Sequence, residues 1–227
     1  MKKIFLFLFT LSALAVLAQE APEKPDYARI ETAISDPSSD YHYPKLMQKF
    51  QKGDTTMTLG QKRHLYYGFR YQKRYNPYGI PKQMEELRPI LQKKPLSDAD
   101  ALKVVSLGKA VLADNPFDLR MMNVMLYASE QIKDITLFHT TLGQMKITVD
   151  ALMSSGDGKS TATAFYVTSV GDEYQLLNIL GYQPAGKQSL VDGHYDFLEV
   201  TENPDKIKGL YFDVSASMDF MEKQFGK

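Results

Sequence analysis

The chain contains no cysteine among its 227 residues. That removes a disulfide framework, a thiolate nucleophile and thiolate metal ligation. It also removes lipoprotein anchoring, which needs a cysteine at the new N-terminus. Long apolar runs are equally scarce. The one present, Ile4 to Ala18, is interrupted only by Thr10 and Ser12 and falls short of the roughly 20 residues that cross a bilayer as a helix. Lys2 and Lys3 precede it, Val16-Leu17-Ala18 close it with small or tolerated residues, and the first acid is Glu20. This is the pattern of a Sec-type signal peptide over residues 1–18. The mature protein is expected to start near Gln19 and to be periplasmic or extracellular, with no transmembrane segment once the signal is cleaved.

Chemical motifs are missing too. Gly158-Lys159-Ser160 has the end of a phosphate-binding loop, but position 153, where its first glycine belongs, is Met153, and no strand leads in. There is no Gly-x-Ser-x-Gly, and His42, His64, His139 and His194 show no His-x-x-x-His spacing. Asp40-Tyr41-His42 and His194-Tyr195-Asp196 supply metal ligands only if folding brings them together. No catalytic residue, metal or cofactor is assigned.

Charge is present in balance, 27 basic against 27 acidic residues, which gives no general reason to expect a nucleic-acid partner. Its distribution is uneven. Between Gly60 and Pro95 stand Lys62, Arg63, Arg70, Lys73, Arg74, Lys82, Arg88, Lys93 and Lys94, opposed only by Glu85 and Glu86. Such a segment suits the solvated face of two helices, or an anionic glycan, phosphate headgroup or acidic protein partner.

Periodicity and punctuation give the order of elements. Residues 19–40 form a mobile lead-in with a short helix from Tyr27 to Ile34. Residues 41–155 read as helix after helix: Tyr43 to Lys52, Leu59 to about Tyr71, Lys82 to Gln92, a long one capped by Ser97 through Leu112, Asp118 to Gln131, and Ile135 to Met153. Residues 156–227 read as a smaller α+β part, with strands at Ala164 to Val170, Phe197 to Thr201 and Leu210 to Val214. Glu173 to Leu180 reads as a short helix or a strand, and Met218 to Phe225 as a small helix. The fold class is α+β, a helical array followed by a small antiparallel sheet and a C-terminal helix.

Leu102 to Met145 resembles a tetratricopeptide unit through Leu107-Gly108, Ala110, Asn115-Pro116, Asn123, Ala128 and Phe138, and Asn76-Pro77 lies 39 residues before Asn115-Pro116. That resemblance implies paired helices with a concave face that binds peptides or other chains.

The densest aromatic stretch is His64-Leu65-Tyr66-Tyr67-Gly68-Phe69-Arg70-Tyr71 with Tyr75-Asn76-Pro77-Tyr78. Leu65, Tyr66 and Phe69 share one helical face; Tyr67, Tyr71 and Tyr75 line a second. Two stripes mean either a helix buried between neighbours or a second face open to a ligand. Candidate binding residues are therefore Tyr67, Arg70, Tyr71, Arg74, Tyr75 and Tyr78, joined by Asp157 and Lys159 in the Ser154 to Thr161 loop, which reads as a flexible helix-to-strand connection.

Several segments together, namely Tyr43-Pro44-Lys45-Leu46, Gly53-Asp54-Thr55-Thr56, Leu65-Tyr66-Tyr67-Gly68-Phe69, Tyr75-Asn76-Pro77-Tyr78, Ser155 to Ser160, Asp172-Glu173-Tyr174 and Leu210 to Val214, resemble a domain-of-unknown-function family of secreted Bacteroidetes proteins. The resemblance spans nearly all of the mature chain. It implies compartment and source and carries no mechanism. The resulting expectation is a non-enzymatic binding protein of the cell envelope. A hydrolase of envelope or dietary polymers, using carboxylates or serines between Gly156 and Asp172, is the alternative, and a structural subunit of an envelope assembly is a third reading.

Overall fold

The computed structural model describes residues 22–93 and 95–226; the leader assigned to residues 1–18 lies outside them. Seven helices come first: α1 (Tyr27–Ser35), α2 (Tyr43–Gln51), α3 (Leu59–Gly68, continued by a 3-10 turn Phe69–Tyr71), α4 (Met84–Leu91), α5 (Asp98–Asp114), α6 (Leu119–Gln131) and α7 (Ile135–Met153). Their starts are set by side-chain caps. Thr58 and Gln61 form a reciprocal capping box at α3, while Ser97, Asp118 and Asp134 each accept a backbone N–H of the first turn of α5, α6 and α7. There follow β1 (Phe165–Tyr166), α8 (Val170–Ile179), β2 (Pro184–Val191), β3 (Tyr195–Val200), β4 (Gly209–Asp213) and α9 (Ser215–Phe225).

The sheet order is β1-β4-β3-β2. The β3–β4 pair is the expected antiparallel hairpin, and β2 extends it antiparallel. The sheet is nonetheless mixed rather than purely antiparallel, because β1 joins β4 in parallel. Only Phe165 and Tyr166 of the segment expected as a strand pair in this way, since Ser169 caps α8 and turns the chain into helix.

One apolar core runs through both regions, from Ile30 and Ile34 of α1 through Leu65 and Tyr66 to Leu176, Leu198 and Phe212. Phe117 stands at its centre, with its ring 5.0 Å from Phe50, 5.6 Å from Tyr66 and 5.4 Å from Phe69. A second cluster, including Leu87, Val104, Val111, Met121 and Met125, binds α4, α5 and α6. Close approach of α2 to α7 depends on two glycines. A Cβ on Gly143 would lie 2.3 Å from the Gly53 carbonyl oxygen, and Gly53 itself has φ +64.

The spacing of the two Asn-Pro turns does not correspond to two like units. Asn115-Pro116 joins the long α5 to α6, whereas Asn76-Pro77 follows the 3-10 turn and leads to α4, which has 8 residues against 17 in α5.

Candidate functional site

The tyrosine-rich helix is a buried post. Tyr67 has no exposed surface, and its hydroxyl donates to the Ala151 carbonyl at 3.1 Å. The Tyr66 hydroxyl donates to Asp172 Oδ2 at 2.6 Å and accepts from the Thr168 N–H at 3.0 Å. Tyr75 donates to the Thr168 carbonyl at 2.8 Å, and Tyr71, half-buried, donates to the Tyr27 carbonyl at 3.0 Å. Of the two readings of the stripes, Tyr67 and Tyr75 take that of a helix buried between neighbours rather than an open face, and Tyr71 is half-buried. α3 lies between α1, α2 and α7, and each hydroxyl finds an internal acceptor, which is what makes burial of a tyrosine tolerable. Arg70 is spent as well: it pairs with Asp219 at 2.6 Å and lies 4.3 Å over the Tyr27 ring.

Asp157 and Lys159 have a different setting. They line a cleft of about 600 Å³ at the junction of helices and sheet. Its apolar lining comes from Leu59, Met153, Phe165, Leu180, Ile207 and Leu210, and its polar lining includes Arg63, Asp150 and Ser154. The loop that carries the pair is fastened rather than flexible. The Asp157 and Gly158 N–H groups donate to the Thr163 carbonyl at 3.0 and 2.8 Å, and Tyr211 N–H donates to the Gly158 carbonyl at 2.8 Å. Hydrogen bonding from Thr163 is the main cause holding the Asp157 carboxyl below its ordinary pKa, with the Lys159 N–H adding to it.

The rim's polar groups are satisfied from within. Arg63 donates to the carbonyls of Glu23, Lys24 and Ser154 and to Ser154 Oγ, the last at 2.7 Å. Lys62 and Lys146 both reach Asp150. Ser155 Oγ donates to the Leu152 carbonyl and accepts from Tyr166 N–H. Arranged this way, the cleft can enclose an apolar group and leave a polar end at the Asp157 and Lys159 rim.

A set of buried acids was hidden in the sequence. Asp172 is pushed up to about 7, chiefly by burial, against the opposing hydrogen bond from Tyr66. Glu173 has no exposed surface and no hydrogen-bond partner on either oxygen. Burial first, then the nearby Asp196 and Asp172, push it up to about 9. Asp118 and Asp196 are also raised by burial. Ser169-x-x-Asp172 matches a capping pattern, which announces the helix start, but nothing local to the sequence announces the enclosure. Among the described residues no three His, Asp or Glu side chains group as metal ligands. His64 stacks on Tyr41 at 3.9 Å and His194 lies 3.6 Å from the buried Asp213.

Arg74, Tyr75 and Tyr78 line a separate cleft against α9. The candidate residues thus divide among two clefts and the core between them.

Fold and clefts together define an α+β protein in which a helical array and a small mixed sheet share one core and leave a cleft at their junction. The chain belongs to the family described as Domain of unknown function (DUF4919), whose model matches residues 28–223. No curated protein and no solved structure matches it.

Proposed function

We propose that this is an exported, non-enzymatic binding protein of the cell envelope, and that the junction cleft holds its ligand. Export rests on Lys2, Lys3 and the apolar run Ile4 to Ala18. Among the described residues, no helix is long and apolar enough to cross a membrane.

One observation carries the binding reading: half-buried Leu59, Met153, Leu180 and Ile207 line an open cleft while Arg63, Ser154 and Asp150 beside them are already paired within the fold. A site of this volume lies within the usual range of about 300–1,000 Å³ for small-molecule pockets. It would retain a ligand by burial of apolar surface, with polar contacts at the rim fixing orientation. The fitting ligand class is an amphipathic molecule or an apolar peptide side chain.

The hydrolase reading draws on Asp157 and Asp172. Asp157 is exposed in the loop and favoured as a carboxylate, while Asp172 is buried beneath the Tyr66 hydroxyl. Ser154 and Ser155 both donate to backbone carbonyls. These placements favour binding.

The test is a thermal-shift screen of purified protein against fatty acids, apolar peptides and neutral and anionic glycans, run beside Ile207→Arg and accompanied by turnover assays. A ligand at 100 times its Kd raises stability by about 2.7 kcal/mol. A shift present in the parent and absent in a folded Ile207→Arg supports the proposal. Turnover that disappears with Asp157→Asn would replace it with the hydrolase reading.

A further inference from the structure

The last helix is fastened by one side only. Ala216 and Ser217 of α9 are buried, Phe220 meets the Tyr75 ring edge-on at 5.5 Å, and Asp219 takes Arg70. These contacts leave Met218, Met221 and Phe225, at spacings of three and four, on the face turned away from the core, with 39%, 40% and 73% of their surface exposed. Three large apolar side chains aligned on one exposed stripe differ from the scattered apolar residues of an ordinary surface.

The stripe borders a cleft of about 530 Å³ whose opposite wall is the Lys73 to Tyr78 turn. Tyr78 is 46% exposed. Among the described residues, the only charged ones lining the cleft are Lys73 and Arg74. Neither Lys73 nor Arg74 forms an ion pair among the described residues; Arg74 donates an Nη1–H to the Ala113 carbonyl at 2.9 Å and lies 5.7 Å over the Phe69 ring. Asp219 is occupied by Arg70, and Glu222 does not line the cleft. Of the other cations of the basic segment, Lys62, Arg63 and Arg70 are consumed inside the fold by Asp150, Ser154 and Asp219, and Lys93 pairs with Asp100 at the surface. Lys73 and Arg74 stay available beside exposed apolar surface.

We propose that this cleft docks an acidic segment of a partner protein, seating an aliphatic or aromatic side chain between Tyr78 and Phe225 with flanking carboxylates on Lys73 and Arg74. Charge complementarity selects an anionic partner. A concave wall selects a chain over a bilayer. This surface shares no lining residue with the junction cleft, so a substitution in one leaves the lining of the other intact.

The experiment measures fluorescence anisotropy of short labelled peptides in which Leu or Phe is flanked by Asp and Glu, against the same peptides flanked by Ser or by Lys. The acidic set is expected to bind at least about tenfold more tightly than the Ser set, weakening with added salt. Lys73→Glu, which alters an exposed side chain, and Met221→Asp should each weaken it about tenfold or more, while Ile207→Arg leaves it unchanged. Absence of binding by every peptide, affinity indifferent to flanking charge, or indifference to Lys73→Glu overturns the proposal. So does sedimentation with phosphatidylglycerol vesicles that Lys73→Glu abolishes, because the surface would then be a membrane contact.

Discussion

The Tyr66 hydroxyl, on α3, donates to Asp172, on α8, across 106 positions of sequence and accepts the Thr168 N–H in the same place. A single phenol therefore fastens the start of α8 to the helical array. Replacing Tyr66 with Phe strips a donor from a buried carboxyl and an acceptor from a buried N–H, each worth about 1–3 kcal/mol. Urea denaturation should show a loss of about 2 kcal/mol or more for Tyr66→Phe. Tyr71→Phe, at a half-buried site, should lose about 1 kcal/mol or less.

Tyr67→Ala removes a fully buried ring wedged between Tyr27 and Tyr66. Truncation of a large core aromatic costs about 3–5 kcal/mol, so the variant should melt far below the parent. A stable, folded Tyr67→Ala would mean that this ring is not part of the core.

Glu173 and Asp172 set an alkaline limit. Both are raised in the folded state, Glu173 from 4.5 to about 9 and Asp172 from 3.8 to about 7. The folded protein thus holds protons that the unfolded chain releases, and stability falls as pH climbs through that window. Their stabilising contribution is full below about pH 4 and is lost by about pH 9. Glu173→Gln, which keeps the shape of the neutral acid, should flatten the upper part of the decline. Circular-dichroism melts between pH 5 and 9.5 check this. Equal slopes for parent and variant would show that Glu173 does not titrate within the fold.

Gly156 closes the turn at the cleft's edge. An added Cβ would lie 2.2 Å from the Thr163 carbonyl oxygen and 2.3 Å from that of Ala164. Both contacts are backbone, so Gly156→Ala must open the loop that positions Asp157 and Lys159. A loss of more than about 2 kcal/mol is expected, together with loss of ligand binding at the junction.

The helices were legible because their signals are local. Ser97 caps α5 where the sequence places it, Thr58 with Gln61, Asp118 and Asp134 cap helices whose starts were read at or next to them, and Gly53 ends α2's turn. β2 was not legible. Pro184–Val191 is exposed on both faces along most of its length and so lacks the alternation that marks a half-buried strand. The parallel pairing of β1 depends on β4, more than 40 residues away. The tyrosine stripes were visible, but the same spacing serves a buried helix and an open face alike. Burial was decided by α1 and α7, which close over Tyr67. The junction cleft draws its lining from Pro22 to Leu210, a gathering that only the folded chain reveals.

The most direct test of the binding account is native mass spectrometry of the protein recovered from the cells that make it, compared with Ile207→Arg recovered in the same way. The account predicts a discrete added mass on the parent, released on denaturation and missing from the folded variant. An unmodified protein mass in both, with the variant as stable as the parent, would contradict the assignment of the junction cleft as a ligand site.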